Sequence, residues 1–179
     1  MTRQGGMNDQ VKDDRYFKWP RWLRSLGRDR RPDFIIGGSA RPYIERWFLL
    51  PRNRLLNIYL HRVHRDDDDR ALHDHPWANV SVVLRGAYDE VTPDTRDIPT
   101  PYLRIADMPV RRRRRRAGSI VFRRAHRAHR LEVAQGPVWT LFLTGPWQRE
   151  WGFHCQWGWR PWRLFVAADD HGSTGRGCD

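Results

Sequence analysis

The chain has 179 residues, of which 39% are hydrophobic and 12% aromatic, and it carries a formal net charge of +12 at pH 7. This length fits one domain, and 10 Trp, 7 Phe and 5 Tyr can fill one packed core, which excludes wholesale disorder. No run of 18 apolar residues exists, so no membrane span is predicted. The polar N-terminal segment lacks a signal-peptide pattern, which makes a cytoplasmic location the expectation.

The elements predicted in chain order are mostly short strands. Residues 1–50 are expected to be an N-terminal arm, partly loose, in which YFKWPRWLRSLGRD forms either a short amphipathic helix or an arm packed on the main body. A strand is predicted over residues 55–63 and a strand pair over residues 79–91, with Gly86 as the turn or bulge. Further short strands are predicted in GSIVF, HRLEV and PVWTLFLTG.

Many short strands with closely spaced turn signals predict an all-β barrel or sandwich, with helix confined to the first fifty residues. The barrel is expected to occupy residues 51–166, and the small, polar residues 167–179 are expected to be a disordered tail. Two cysteines, Cys155 and Cys178, do not make a disulfide framework, and Cys178 is expected to be a free thiol.

The stretch ALHDHPW, residues 71–77, holds His73 and His75 on either side of one aspartate. On an extended chain, residues two apart point to the same face, so both imidazoles can contact one metal ion. By itself, an H-x-H segment is weak evidence for a metal site, because it is also compatible with a polar turn. The downstream segment RRAHRAHRLEV, next to a predicted strand, offers His126 or His129 as a third ligand and favours the metal site.

These residues resemble the cupin family, whose first motif has the form G-x5-H-x-H-x3,4-E-x6-G and whose second has the form G-x5-P-x-G-x2-H-x3-N. The matching positions are His73, His75, Gly86, Gly118 and His129. The resemblance covers residues 55–145 and implies a single cupin-type β-barrel, or jelly roll, following the short N-terminal arm. It also implies that His129, rather than His126, is the third metal ligand.

The departures from the two motifs bear on the chemistry. Asn79 stands where the family has its acidic ligand, and Asp67 replaces the first glycine. In the second motif the proline, glycine and asparagine are replaced by Arg124, His126 and Val133. The resemblance then implies three histidine ligands, with Asn79 either as a weak fourth ligand or as a residue outside the coordination sphere. This ligand set is similar to that of the thiol dioxygenases, which are also cupins.

Two functions follow from the resemblance, and the choice between them stays open here. The first is a metal-dependent oxygenase, a non-haem iron dioxygenase holding Fe(II), that acts on a small anionic substrate, either a thiol or a carboxylate. Zinc, nickel or manganese fit the same ligands. The second is a non-catalytic cupin that binds a small ligand or a polyanion such as nucleic acid.

The run RRRRRR supplies half of the net positive charge. It is interpreted as a solvent-exposed loop outside the metal pocket, because six adjacent guanidiniums could be buried only at high cost. A basic run also attracts polyanions, so weak nucleic-acid binding is the alternative interpretation. The residues concerned are Arg111, Arg112, Arg113, Arg114, Arg115 and Arg116. A homodimer is left open.

Other polar residues are expected to be structural. His61 and His64 lie on or just after a predicted strand. His154 and Cys155 are adjacent, so on a strand they face opposite ways and do not form a nucleophilic pair. The aspartates at 66–69 lack the spacing of a calcium loop and are expected to form a solvated turn. An arginine near the site would suit a substrate carboxylate, but the sequence does not choose one.

Overall fold

The computed structural model describes residues 20–66, 71–94, 108–167 and 175–179. Within these ranges the chain forms two helices and twelve strands. The helices are α1 (Arg21–Asp29) and α2 (Trp162–Phe165). The strands are β1 (Phe34–Ile36), β2 (Ile44–Phe48), β3 (Asn57–Val63), β4 (Leu72–His73), β5 (Asn79–Arg85), β6 (Ala87–Pro93), β7 (Val110–Arg116), β8 (Ile120–Arg123), β9 (Arg130–Glu132), β10 (Val138–Thr144), β11 (Gly152–Cys155) and β12 (Gly158–Pro161).

The strands form one large and two small antiparallel sheets. The large sheet has the order β1-β2-β3-β10-β5-β8, and the small sheets have the orders β12-β11-β4 and β7-β6-β9. His73, at the end of β4, forms an antiparallel bridge with His129, immediately before β9. This bridge joins the two small sheets edge to edge, so together they act as a second layer against the large sheet.

The core lies between the two layers, and a second apolar cluster lies under α1. Between the layers, Ile44, Val63, Val83 and Val138 of the large sheet pack with Tyr88 of β6. Fully burying one such side chain stabilises the fold by about 1.5–3 kcal/mol.

On its other face, the large sheet is covered by α1, whose Leu23 packs on Trp47, Leu60 and Leu84. The close fit depends on Gly27, because a Cβ at that position would lie 2.4 Å from the ring of Trp139. The helix is therefore an integral layer of the fold, and the interpretation of this segment as a helix is the one that the structure supports.

The all-β prediction is confirmed, and the alternation of residues along the strands explains the pairing. In β10 the buried residues are Val138, Thr140, Phe142 and Thr144, whereas the residues between them are half-buried. The strand pair predicted over residues 79–91 turns at Gly86, whose φ of 78° lies in the left-handed region that favours glycine. Strands β1 and β2 belong to the large sheet, and a short helix, α2, also lies near the C-terminal end, outside the first fifty residues.

The barrel is not closed. Strand β7 pairs with β6 in the second layer, and β8 pairs with β5 in the large sheet. Although β7 and β8 follow one another along the chain, no ladder joins them among the described residues. The two sheets therefore diverge at this edge and leave a groove between β7 and β8.

The loop predicted for the arginine run is wrong, because residues 111–116 all lie in strand β7, paired along its whole length with β6. The expected exposure holds for five of the six side chains, whereas that of Arg115 is half-buried. A strand can form here because acidic residues of neighbouring strands compensate part of the charge of the run. Arg112 pairs with Glu132 of β9, and Arg114 and Arg115 pair with Asp89 and Glu90 of β6.

The expectation of a free Cys178 is also wrong, because Cys178 forms a disulfide with Cys155 at the end of β11. The amides of Gly175 and Gly177 both donate to the carbonyl oxygen of Phe165, so residues 175–179 are fastened to α2. Residues 1–19 of the partly loose arm predicted over residues 1–50 lie outside the described residues, as do residues 168–174 of the predicted disordered tail. In the described ranges, no helix has the length and apolar character needed to cross a bilayer.

Replacing Cys178 by serine is expected to lower the free energy of unfolding by about 3 kcal/mol, because a disulfide spanning a loop of this size restricts the unfolded chain. Urea unfolding followed by tryptophan fluorescence measures the change. The double variant Cys155→Ser/Cys178→Ser serves as the control and should be no less stable than the single variant. An unchanged midpoint in both variants, or two free thiols in the non-reduced protein, would contradict the disulfide.

Candidate metal centre

The backbone fixes the three predicted ligand histidines. His73 and His129 exchange two N–H···O=C hydrogen bonds of 2.9 Å, and the amide of His75 donates to the carbonyl of Ala125 at 3.0 Å. The H-x-H segment is therefore bound at two points to the segment that carries the third histidine. Since directly paired residues of an antiparallel bridge point to the same side, the rings of His73 and His129 are brought together.

The side chains converge. Each of His73, His75 and His129 offers one ring nitrogen, and these atoms all lie within 4.8 Å of one another. The Nε2 atoms of His75 and His129 are 2.8 Å apart. Two nitrogens that bind one ion at about 2.0–2.1 Å are at most about 4.2 Å apart, so this donor set fits a transition-metal ion after small ring movements.

The site is half-buried, and His129 is its buried member. Burial lowers the pKa of His75 and of His129 well below the ordinary value, and the neighbouring His73 and Arg123 act in the same direction. The neutral imidazole is the form that binds a metal ion. Aromatic rings line the site: His75 stacks on Trp77 and contacts Phe142, and His73 contacts Phe153.

Asp74, between the two histidines, holds the H-x-H segment in place and was missed as a site residue. It is 1% exposed, and it accepts hydrogen bonds from the amide of Gly152, from Arg149 and from Trp159. His154 Nε2 lies 3.5 Å from the same carboxylate, in ion-pair range rather than in an aligned hydrogen bond. Burial opposes ionisation, but His154, the Gly152 amide and Arg149 together hold the pKa of Asp74 below its usual value.

A buried polar network lies beside the three histidines. Arg123 is 3% exposed, and it donates to Glu90 at 2.6 Å, to Asn79 Oδ1 at 3.3 Å and to Tyr88 at 3.3 Å. Glu90 Oε1 lies 3.9 Å from His129 Nδ1. Burial would raise the pKa of Glu90, but the charges and hydrogen bonds of Arg123 and Arg115 lower it, so Glu90 is a carboxylate.

The side chain of Asn79 points into the fold, as the motif alignment predicts, and it is 2% exposed. Its oxygen accepts from Arg123 rather than from a ligand histidine. Its Nδ2 atom is buried and has no hydrogen-bond partner among the described residues. An orphaned buried donor of this kind is costly unless a water or a ligand satisfies it.

Replacing Asn79 by alanine is expected to keep most of the metal but to weaken metal affinity or activity by about 10–100-fold, the range typical of a residue outside the coordination sphere. Asn79→Glu should tighten the binding of hard dications by adding a carboxylate. Metal titration of the two variants beside His73→Ala measures these effects. If Asn79→Ala empties the site as completely as His73→Ala does, Asn79 is itself a ligand and the three-histidine assignment is wrong.

The remaining candidates lie outside the histidine cluster, although His61 stacks on Phe142, which contacts His75. His126 is exposed and lies outside the cluster, in the groove between β7 and β8. His61 accepts a hydrogen bond from Arg46, and His64 pairs with Glu45. Since Cys155 is oxidised in the disulfide, the pair His154–Cys155 offers no thiol nucleophile.

Tyr88 is buried beside Arg123, whereas Arg62 lies over the ring of Trp139 on the α1 side of the sheet. Arg123 and Glu90 were missed by the sequence interpretation. The sequence feature that could have identified them is a charged residue at an inward position of a strand. Arg123 is two residues from buried Val121, and Glu90 is two residues from buried Tyr88.

The donor set has a definite chemical consequence. The cluster contains three imidazoles, which are uncharged ligands when they bind a metal ion, and, within the described part of the chain, no carboxylate. A divalent ion held by such ligands keeps its full positive charge and has open coordination positions, which favours an anionic substrate.

The sequence matches no protein-family model and no curated protein at a significant level. Similar solved structures include a cupin superfamily protein from Desulfitobacterium hafniense DCB-2, 13% identical with a TM-score of 0.41, covering 57% of this chain and 77% of that chain. Hydroxypropylphosphonic acid epoxidase from S. wedmorenis is 18% identical with a TM-score of 0.45, covering 65% of this chain and 56% of that chain. DMSP lyase DddQ from Ruegeria pomeroyi DSS-3 is 18% identical with a TM-score of 0.42, covering 60% of this chain and 50% of that chain.

These similarities are low, and the chain spans only about half the length of the epoxidase and of the lyase. The architecture is read from the strands themselves: two antiparallel layers, with the H-x-H pair bridged to a third histidine on the neighbouring strand. The fold is a two-layered antiparallel β-sheet structure that is open between β7 and β8, and a cupin superfamily protein is among the solved structures that it resembles.

Proposed function

We propose that the protein is a metal-dependent enzyme in which His73, His75 and His129 hold Fe(II), and that it is an oxygenase acting on a small anionic substrate, a thiol or a carboxylate. The observation that carries the proposal is the convergence of three imidazoles within 4.8 Å in a site lined by aromatic rings. Bound iron would supply redox chemistry with O2 and a positive charge for the substrate anion. Zinc, nickel and manganese suit the same ligands.

The chain's own residues perform the supporting tasks. Asp74 and the His73–His129 bridge hold the ligand rings in one orientation. Trp77, Phe142 and Phe153 pack against the ligand rings and shield them in part from water, which strengthens electrostatic interactions inside the site. Arg123 positions Asn79 and Glu90 next to this centre, and its fixed positive charge favours an anion there.

Oxygen consumption by the Fe(II)-loaded protein tests this proposal. A panel of small thiols and small carboxylates is offered at neutral pH, with the zinc-loaded protein and Fe(II)-treated His73→Ala as controls. The proposal predicts substrate-dependent uptake of O2 by the iron form alone. Stoichiometric iron binding with no uptake across the panel would contradict an oxygenase of this substrate class, and it would leave a non-catalytic, ligand-binding cupin as the better account.

A further inference from the structure

The open edge of the barrel forms a groove of about 530 Å³. One wall is β7, and the other is β8 with the loop that follows it. This volume falls within the range of about 300–1,000 Å³ typical of small-molecule sites. The groove is defined by the side chains of six arginines, Arg111, Arg113, Arg115, Arg123, Arg124 and Arg127.

The register of β7 explains which arginines of the run enter the groove. Arg111, Arg113 and Arg115 pair with Thr92, Glu90 and Tyr88 of β6, so they share the face of β6 that points into the fold. The alternate residues lie on the other face, where Arg112 pairs with Glu132 and Arg114 with Asp89. Along one strand, three arginines therefore face a cavity, and their neighbours in the run face away from it.

Charge in the groove is unbalanced. Among the described residues, Glu90 is the one acidic residue that lines the groove, and both oxygens of its carboxylate accept hydrogen bonds, Oε2 from Arg115 and Oε1 from Arg123. Arg111, Arg113, Arg124 and Arg127 line the same groove and have no acidic partner within 4.0 Å among the described residues. Four guanidiniums that share a cavity without counter-charges repel one another, and an anionic ligand would remove that repulsion.

We propose that this groove binds an organic phosphate, a small molecule with two or more phosphate charges, as a ligand distinct from the thiol or carboxylate substrate proposed for the metal centre. Arginine is suited to phosphate because its planar fork donates two parallel hydrogen bonds to two oxygens. Four guanidiniums with no acidic partner in the described part of the chain match a ligand with several anionic oxygens better than a monocarboxylate.

The groove also provides a surface for the organic part of such a ligand. Phe122 of β8 lies in its lining and is 65% exposed. An exposed ring beside arginines can stack on an aromatic or apolar group, as in proteins that bind nucleotides and bases. A nucleotide-sized molecule is therefore a suitable probe.

Two residues connect the groove with the metal centre. Arg123 and Glu90 line the groove, and the same two side chains contact the centre from the other side: Arg123 donates to Asn79, and Glu90 lies 3.9 Å from His129. A phosphate bound to the groove arginines would thus be separated from the ligand histidines by one layer of side chains.

Calorimetric titration with inorganic pyrophosphate and with ADP tests the inference, in 150 mM salt and on both metal-free and metal-loaded protein. The groove variant is Arg111→Ser/Arg113→Ser, and the matched control is Arg112→Ser/Arg114→Ser, which removes the same charge from the outer face of the same strand. Wild type should bind both probes. The groove variant should lose about 30–100-fold in affinity, since each lost charged contact costs about tenfold, and the control should lose less than about threefold.

Three outcomes would overturn the inference: no binding of either probe, equal weakening in the two variants, or much tighter binding of a single-stranded oligonucleotide whose affinity grows with length. The last would show a nucleic-acid surface. Binding of the probes to metal-free protein tests the groove, and metal content tests the metal centre. A failure of the groove inference is therefore distinguishable from a failure of the proposed function. Anion binding without metal binding would refute the proposed function alone, whereas metal binding without anion binding would refute the groove alone.

Discussion

Alanine at His73, His75 or His129 is expected to reduce bound metal from about one ion per chain to nearly none. Each substitution removes one of three ligand nitrogens from a cluster in which the described residues offer no replacement carboxylate. The loss in affinity should exceed the about 100-fold that marks the upper end for residues outside the coordination sphere. Elemental analysis after loading and desalting measures the metal-to-protein ratio.

His126→Ala is the matched control, because His126 lies in the same histidine-rich segment but is exposed in the groove. This variant should keep its metal. If it loses metal as completely as His129→Ala does, the third ligand is misassigned. If all the single variants keep their metal, these histidines do not form the centre.

Arg123→Ala is expected to lower the free energy of unfolding by about 3 kcal/mol, a large share of the about 5–15 kcal/mol that stabilises a typical domain. The substitution leaves buried Glu90 without its contact to Oε1, although Arg115 still holds Oε2. It also removes the hydrogen bonds to Asn79 and Tyr88. Urea unfolding measures the change.

Arg114→Ala is the control for this prediction, because its pair with Asp89 is largely exposed and such pairs contribute about 0–1 kcal/mol. Adding Glu90→Gln to Arg123→Ala should recover part of the lost stability, since it removes the incompletely paired charge. Equal losses in Arg114→Ala and Arg123→Ala would show that the buried network contributes no more than a surface ion pair.

The strands and the three histidines were predictable because each leaves a local pattern. In β10 the alternation of inward and outward residues was readable over PVWTLFLTG, and the turn at Gly86 separated two clear strands. The spacing of His73, His75 and His129 is a motif that can be recognised along the sequence. The backbone bridge between His73 and His129 needs no particular side chains.

The strand β7 was not predictable because a run of identical residues hides its own alternation. Arg112 and Arg113 differ only in what their side chains face: Arg112 contacts Glu132, and Arg113 lines the groove. The inward position of Arg123 depends in the same way on Glu90, a partner on another strand. Such cross-strand compensation appears only when the register is known.

The disulfide between Cys155 and Cys178 was not predictable for a different reason. Cys178 lies 23 residues after Cys155, in a segment with almost no apolar residues to indicate that it packs. The carbonyl oxygen of Phe165 accepts hydrogen bonds from the amides of Gly175 and Gly177, and these bonds hold residues 175–179 against α2. Backbone hydrogen bonds of this kind leave no signature in side-chain hydropathy.

X-ray absorption at the iron edge, on protein loaded with one equivalent of Fe(II), tests the central claim most directly. The three-histidine centre predicts stoichiometric iron with about three imidazole nitrogens in its coordination shell, near the distance of about 2.0–2.1 Å found for histidine ligands. A spectrum without imidazole scattering, or iron that washes out of the wild-type protein, would contradict it.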